Sequence, residues 1–185
     1  MGSTSIQFSE FRDKKILITG ASTGIGAELA KAFAKQGAIV GLHYFSSEDA
    51  AKTVASDIRG EGGRIELIKA DASDSEAMAG AVREAAEVLG GLNGLINNAG
   101  GMVRRVPYAE VTNKDYDEIM DLNARSIVVA SREALPFLKE QGGFVINTTS
   151  IAARNGAGGG AGMYGSSKAF VSNVTRGMAK EWIEF

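Results

Sequence analysis

Short apolar runs alternate with longer amphipathic ones along most of this chain. The runs KKILITG, AIVGLHYF, RIELIKA, LNGLINNAG and GFVINTTS are built around aliphatic residues, and their length predicts five strands. Between them TGIGAELAKAFAKQG, SSEDAAKTVASDIRGEGG and DSEAMAGAVREAAEVLGG read as helices. A long helix is expected from about Thr112 to Gln141, and a last one follows Met163. Ser46 with Asp49, Ser73 with Glu76 and Thr112 with Asp115 have capping-box spacing. Ile25, Leu29 and Phe33 recur at i+4, which predicts a helix face packed on a sheet. Repeated βα units with nearly continuous apolar strands imply a parallel sheet covered on both faces. The expectation is one α/β domain over 1–185, doubly wound in three layers, α/β/α. No boundary interrupts it, and the glycine-rich stretch 156–162 reads as a loop inside the domain.

Composition narrows the chemistry. The 185 residues are 44% hydrophobic and 23% charged, with a formal net charge of -2. That balance gives no electrostatic reason to expect nucleic acid or an anionic membrane as partner. The absence of cysteine excludes disulfides, thiolate metal sites and a cysteine nucleophile, and the single histidine, His43, excludes a histidine-rich metal site. MGSTSIQF has no apolar signal core, Ile6 stands where a myristoylation motif needs Ser or Thr, and no apolar run reaches membrane-spanning length. These features make a cytoplasmic protein the expectation.

The first predicted strand runs into Thr19-Gly20-Ala21-Ser22-Thr23-Gly24-Ile25-Gly26, which opens a helix. Glycine suits a sharp turn, a close backbone approach to a pyrophosphate and tight helix–strand packing, and the helix start offers N–H groups to phosphates. Turn and packing glycines alone would give the same spacing. No Lys-Ser/Thr pair follows, so a P-loop fits poorly. The second strand ends in His43-Tyr44-Phe45-Ser46-Ser47, and the first acids, Glu48 and Asp49, already belong to a helix start. A ribose 2′-phosphate would meet hydroxyls and amides there rather than a carboxylate, which favours NADP(H) and leaves NAD(H) open. His43 reads as a strand side chain rather than a catalyst.

Tyr164 and Lys168 stand at i+4, on one face of a helix. A free tyrosine is nearly all phenol at neutral pH, and a neighbouring ammonium stabilises the phenolate. Surface pairs at this spacing are common, so the context matters. Ser150 ends the fifth predicted strand, at the sheet edge where doubly wound folds bind ligands, and a glycine-rich loop then leads to Tyr164. That loop reads either as flexible backbone that admits substrate or as a surface connection with no gating role.

Together these motifs resemble the classical short-chain dehydrogenase/reductase family, with a 3-oxoacyl-carrier-protein-reductase-like pattern. TGASTGIG matches its TGxxxGxG, Asn97-Asn98-Ala99-Gly100 its NNAG, and Tyr164-Gly-Ser-Ser-Lys168 its YxxxK. Ser150 in NTTSIAA matches the catalytic serine, Asn123 in MDLNARS the asparagine of the long helix, and Asp71-Ala72 the pair that contacts adenine. The likeness runs from about Lys14 to Phe185 and implies a Rossmann-like fold. It implies that Tyr164 is the general acid–base and that Lys168 assists it and binds the nicotinamide ribose. It further implies that Ser150 holds the substrate oxygen and that Asn123 orders a relay water. Asn97 would brace the sheet. Gly20, Ser22, Thr23, Gly24, Ile25, Gly26, Tyr44, Phe45, Ser46, Asp71, Ala72, Asn98, Ala99 and Gly100 would join Tyr164 and Lys168 in holding the cofactor, with no metal.

The resemblance implies a small carbonyl or alcohol substrate and a homodimer or homotetramer. Thr23 stands where many NADP-dependent members carry Arg or Lys, and the Ser150-to-Tyr164 interval is about one residue longer than usual. Family members usually continue with a sixth strand, a Pro-Gly cofactor loop, a lid and a seventh strand. Relative to that pattern the chain stops at EWIEF, so the resemblance implies an uncovered sheet edge and an incomplete nicotinamide pocket. The competing reading is a dinucleotide-binding or redox-sensing module without turnover, or an inactive truncated reductase. Phe170, Val174, Met178 and Trp182 form an i+4 stripe on the last helix, read as core packing ahead of an interface. Arg104, Arg105 and Arg154 flank the presumed site and read as solvated surface ahead of an anion contact.

Overall fold

The computed structural model describes residues 8–184, so the reading of residues 1–7 lies outside the described residues. Five strands, β1 Lys15–Ile18, β2 Ile39–Tyr44, β3 Arg64–Lys69, β4 Gly94–Asn97 and β5 Phe144–Asn147, form one parallel sheet in the order β3-β2-β1-β4-β5. The helices are α1 Gly24–Lys35, α2 Glu48–Gly60, α3 Ser75–Leu89, α4 Asn113–Met120, α5 Ser126–Gln141, α6 Ala152–Asn155 and α7 Gly162–Trp182. This is the expected Rossmann-like, three-layer α/β/α arrangement. The chain winds outward from β1 to β3 and then returns to the other side of β1 at β4. That reversal opens a crevice at the carboxyl ends of β1 and β4, the place where such sheets take ligands.

Alternation along β1 shows why both faces are covered. Ile16 and Ile18 pack with Ala27, Ala30 and Ala34 of α1 and Val54 and Ile58 of α2. Leu17, between them, points the other way, toward Val82 and Leu89 of α3 and Val129 and Leu138 of α5. All three are fully buried, as strands inside a doubly covered sheet require.

Several local expectations are corrected. Thr112 and Asp115 form the expected reciprocal capping box at the start of α4, but the other two boxes do not form. Asp74 caps α3, its carboxylate accepting from the N–H groups of Glu76 and Ala77, while Ser73 donates to Asp71 instead. At α2 the N-cap is Ser47, without a side-chain bond, and the first-turn carboxylate of Glu48 pairs with Lys52 and Lys69. On α1 Leu29 and Phe33 pack against the core as expected, but the buried positions are the small ones, Gly26, Ala27, Ala30 and Ala34. Ile25 is 68% exposed because its turn faces the crevice.

The long helix is interrupted by a five-residue π-helical turn, Asp121–Arg125, between α4 and α5. On α7 the stripe divides. Val171 takes the fully buried position and Phe170 is left exposed. Met178 and Trp182 line an apolar groove of ≈ 310 Å³ with Leu138, Phe144 and Val145. Beside it β5 is the outer strand of the sheet, with Ile146 48% exposed.

Capping gives a direct check on these assignments. Thr112→Ala should lower unfolding stability by about 1 kcal/mol, whereas Ser46→Ala should stay within about 0.5 kcal/mol of the parent, both read by urea denaturation. Equal losses would contradict the cap assignment.

Candidate active site

The turn after β1 is held from the β4 side. Thr19 Oγ accepts from the N–H groups of Asn98 and Ala99, each at 3.0 Å. The Asn98 amide donates to the carbonyls of Thr19 at 3.1 Å and Gly20 at 3.0 Å. The second asparagine of the NNAG run is therefore a clasp on the glycine turn. Gly26 has to be glycine because a Cβ there would lie 2.4 Å from the Gly20 carbonyl oxygen and 2.6 Å from Asn98 Nδ2. Thr23, the N-cap of α1, makes no side-chain cap bond, and no acidic residue occupies the first turn. The N–H groups and the positive end of the helix dipole are left for an anion at the crevice.

A cleft of ≈ 540 Å³ begins at this turn and is lined by Gly20, Ser22, Thr23, Ile25, Asn98, Ala99, Gly100, Thr148, Thr149, Ser150, Tyr164 and Lys168. Ser150, Tyr164 and Lys168 thus share one cleft with the glycine turn. Lys168 is 3% exposed, and its Nζ donates to the Thr148 carbonyl at 3.1 Å. Burial pushes its pKa below the ordinary lysine value, because desolvation disfavours the ammonium. Its Nζ lies 5.9 Å from the centre of the Tyr164 ring.

Behind the lysine, the π-turn presents Asn123, fully buried. Its Oδ1 accepts from Gly101 N–H at 2.9 Å, and its Nδ2 donates to the carbonyls of Gly101 at 2.9 Å and Ile119 at 3.0 Å. A Cβ on Gly100 would meet Asn123 Oδ1 at 2.8 Å and Lys168 Nζ at 3.0 Å, so the bare backbone of Gly100 separates the two.

Other predicted residues lie apart from this cleft. Tyr44 is buried in the core with α1 and α2, and Ala72 in the core with α3 and α5, whereas Phe45 and Ser46 are exposed. Asp71 Oδ1 accepts from both the N–H and hydroxyl of Ser73. The Glu48 carboxylate is held down to about 2 by its hydrogen bonds to Lys52 and Lys69. Asn97 links β4 to α5 through Ser131 and to β5 through Asn147, whose amide reaches Thr175 on α7. Arg104 pairs with Asp115 and Glu118, so it is not a free anion contact. Arg154 is exposed on α6.

The glycine loop owes its composition to shape. Gly159 and Gly160 adopt φ of +62 and +77, and the Gly160 carbonyl accepts from Val106 N–H at 2.8 Å. Arg105 donates to the Gly159 carbonyl at 3.0 Å. A Cβ on Gly162 would stand 2.4 Å from the ring of Tyr108, whose hydroxyl meets Ser166 Oγ at 3.1 Å. The segment after β4 therefore lies against the loop and the first turn of α7.

Thr149 completes the mounting of α7, its hydroxyl donating to the Lys168 carbonyl at 2.9 Å and meeting Ser172 Oγ at 2.8 Å. Sequence reasoning missed Thr19, Thr149 and Tyr108, and it read Arg105 as solvated surface where the structure ties it to the Gly159 carbonyl. The hydroxyls at strand ends in ITG and NTTS were the only signal of the first two.

A parallel sheet reversing at a glycine turn, with Ser, Tyr and Lys in the adjoining cleft, is the architecture of a doubly wound nucleotide-binding-type domain. The chain belongs to the short chain dehydrogenase family, whose pattern it matches over residues 14–185. Over 143 residues it is 38% identical to an uncharacterized oxidoreductase of Methylorubrum extorquens, covering 77% of this chain and 57% of that protein. It is 35% identical to a hydroxynaphthalene reductase-like protein of Metarhizium majus over 90% of this chain and 61% of the relative. The chain thus spans about three fifths of the length of these curated relatives.

Among solved structures it superposes on an NADH-dependent reductase, A1-R′, responsible for alginate metabolism. The TM-score is 0.91 at 37% identity, over 96% of this chain and 74% of that one. It also matches a Burkholderia cenocepacia short chain dehydrogenase in complex with NADP, with a TM-score of 0.87 at 37% identity over 92% and 69% of the two chains. Among the described residues no cluster of His, Asp or Glu could hold a metal, and no helix is long and apolar enough to cross a membrane.

Two outcomes check the site's construction. Gly26→Ala should cost about 2 kcal/mol by overpacking the glycine turn, measured by thermal unfolding; an unchanged midpoint would refute the steric reading. His43, buried at the end of β2, titrates near pH 4 rather than 6.5, because desolvation outweighs the Ala70 backbone and the Asp71 charge. Its lowered folded pKa means that the unfolded chain takes up the proton first as pH falls. Stability should therefore be full above pH 6.5 and decline toward pH 4, by about 3 kcal/mol. His43→Asn should flatten that part of the curve in denaturant titrations at stepped pH.

Proposed function

We propose that the protein is an oxidoreductase that interconverts a carbonyl and a secondary alcohol, with Tyr164 as general acid–base. The observation that carries this reading is the shared cleft, in which Ser150, Tyr164 and a buried Lys168 adjoin a backbone cradle suited to a dinucleotide. A nicotinamide dinucleotide, when bound, supplies or accepts the hydride at the substrate carbon. Ser150 Oγ donates to the carbonyl oxygen and orients it. Tyr164 gives its phenolic proton to that oxygen as the alcohol forms, and takes it back in the reverse direction. The Lys168 ammonium stabilises the phenolate left behind, and Asn123, next to it across Gly100, serves the return of a proton from solvent. Electrostatic support from groups already in place is the main contribution such a site makes.

The residues suit a dinucleotide: the uncapped α1 start leaves N–H groups for a phosphate, and the space beside Gly24 is open. We assign NADP(H) as the preferred form, with NAD(H) possible. The support is the end of β2, where Phe45, Ser46 and Ser47 carry no carboxylate and Glu48, in the first turn of α2, is already paired with Lys52 and Lys69. Related structures include both an NAD and an NADP complex. A 3-oxoacyl thioester or a similar small carbonyl compound is the substrate class proposed, in line with the 30% identity to a 3-oxoacyl-[acyl-carrier-protein] reductase of Staphylococcus aureus. A homodimer or homotetramer in the cytoplasm is part of the same reading, and the exposed Phe170 of α7 supports a self-association face.

The test is Tyr164→Phe, followed by NADPH and NADH oxidation with a panel of ketones and by cofactor fluorescence. Turnover should fall about 10²–10⁴-fold while cofactor affinity stays the same. An unchanged rate would remove Tyr164 from the chemistry. Binding by the parent protein without any turnover would favour the dinucleotide-binding module.

A further inference from the structure

His43 is the penultimate residue of β2, paired in register with Ile68 of β3. It is 1% exposed, does not line the cleft and takes no part in the chemistry proposed above. Its contacts are nonetheless specific. The ring Nδ1 accepts a hydrogen bond from the Gly20 N–H at 3.1 Å. An accepting Nδ1 places the proton of the neutral ring on Nε2. That Nε2 is buried and makes no hydrogen bond of good geometry among the described residues, the Ala70 backbone being the polar group that acts on the ring without forming one. The backbone of the same strand end makes two further ties. The His43 carbonyl accepts from Ala21 N–H at 2.8 Å, and the Tyr44 carbonyl accepts from Ala70 N–H at 3.0 Å.

Gly20 is held from both sides. Its N–H goes to the imidazole and its carbonyl to the Asn98 amide, with φ at +62 and no room for a Cβ against Ala99. Asn98 therefore sets one half of the turn and His43 the other. Core filling does not account for a histidine here. A buried N–H without a well-formed hydrogen bond is unfavourable, and an aliphatic side chain of similar size would avoid it. What an aliphatic residue lacks is an acceptor for Gly20 N–H.

We propose that His43 is a positioning residue for the dinucleotide-binding turn. Its neutral imidazole fixes the Gly20 peptide so that the start of α1 presents its N–H groups to the cofactor's pyrophosphate. This rests on the reading of the cleft as a dinucleotide site, but the brace itself is measurable without a ligand. The brace acts on the turn before binding, so its loss appears as weaker cofactor affinity rather than as a less stable fold.

Three measurements test this. The imidazole ¹⁵N shifts of the parent protein at neutral pH should report an unprotonated Nδ1 and a protonated Nε2; the opposite tautomer overturns the proposal. His43→Leu puts a methyl group where Nδ1 stands, and His43→Asn restores an acceptor one bond from Cγ, as Nδ1 is. With His43→Leu, the apo unfolding midpoint should hold or rise, while exchange of the Gly20 amide quickens and the dissociation constants for NADPH and NADH rise about tenfold. With His43→Asn, both readings should stay within about twofold of the parent. Parent-like affinity and exchange in the Leu variant, or an Asn variant as weak as the Leu one, would overturn it. If the parent binds neither dinucleotide, the cofactor role falls together with the reading of the cleft. In that case Gly20 exchange and the ring tautomer report on the brace alone.

Discussion

A lysine ammonium sunk to 3% exposure at the carboxyl end of the sheet is the constraint around which this region is built. An unpaired buried charge is strongly unfavourable, so the surroundings must supply polar groups without admitting bulk water. The Thr148 carbonyl accepts directly from Nζ. Gly100 contributes by having no side chain, since a Cβ there would press on both Nζ and Asn123. Asn123 reaches its place because the helical chain widens into a π-turn at Asp121–Arg125. Such turns often mark functional positions, because they redirect a side chain at some expense in regular hydrogen bonding.

The same lysine depends on α7 being fixed against the sheet. The Thr149 hydroxyl holds the Lys168 carbonyl, and Asn147 bonds Thr175 two turns further on. Asn147 is itself bonded to Asn97, which also reaches Ser131 on α5. A line of side-chain hydrogen bonds thus joins α5, β4, β5 and α7, with its members at least half-buried. Networks of this kind rigidify when every member is satisfied. At the other end of the cleft Thr19, Asn98 and the Nδ1 of His43 hold the glycine turn by a second set of hydrogen bonds. Two polar networks, one at each end, set the geometry between them.

The glycines show how one residue type serves different ends. Gly26 gives clearance for a helix crossing close to a strand end, Gly100 leaves space beside an ammonium, and Gly160 provides a left-handed turn under Val106. In the loop before α7 the backbone is held by Arg105 and by the N–H of Val106. Its glycine content therefore reflects conformation and proximity, which composition alone does not distinguish from looseness.

The strands, the parallel sheet and the cleft residues Ser150, Tyr164 and Lys168 were legible in the sequence because each depends on local order. Short aliphatic runs, i+4 spacing and a residue's place at a strand end are properties of neighbours along the chain. The Thr112–Asp115 cap was legible for the same reason. The cap at Asp74 was not, because a closer carboxylate outcompeted the serine next to it. The π-turn, the exposure of Ile25 and the division of the α7 stripe were also hidden, since each depends on what packs opposite. Most of all, His43 read as an ordinary strand residue. Only the folded sheet brings β2 beside β1, and so sets an imidazole nitrogen against the N–H of a glycine twenty-three positions earlier.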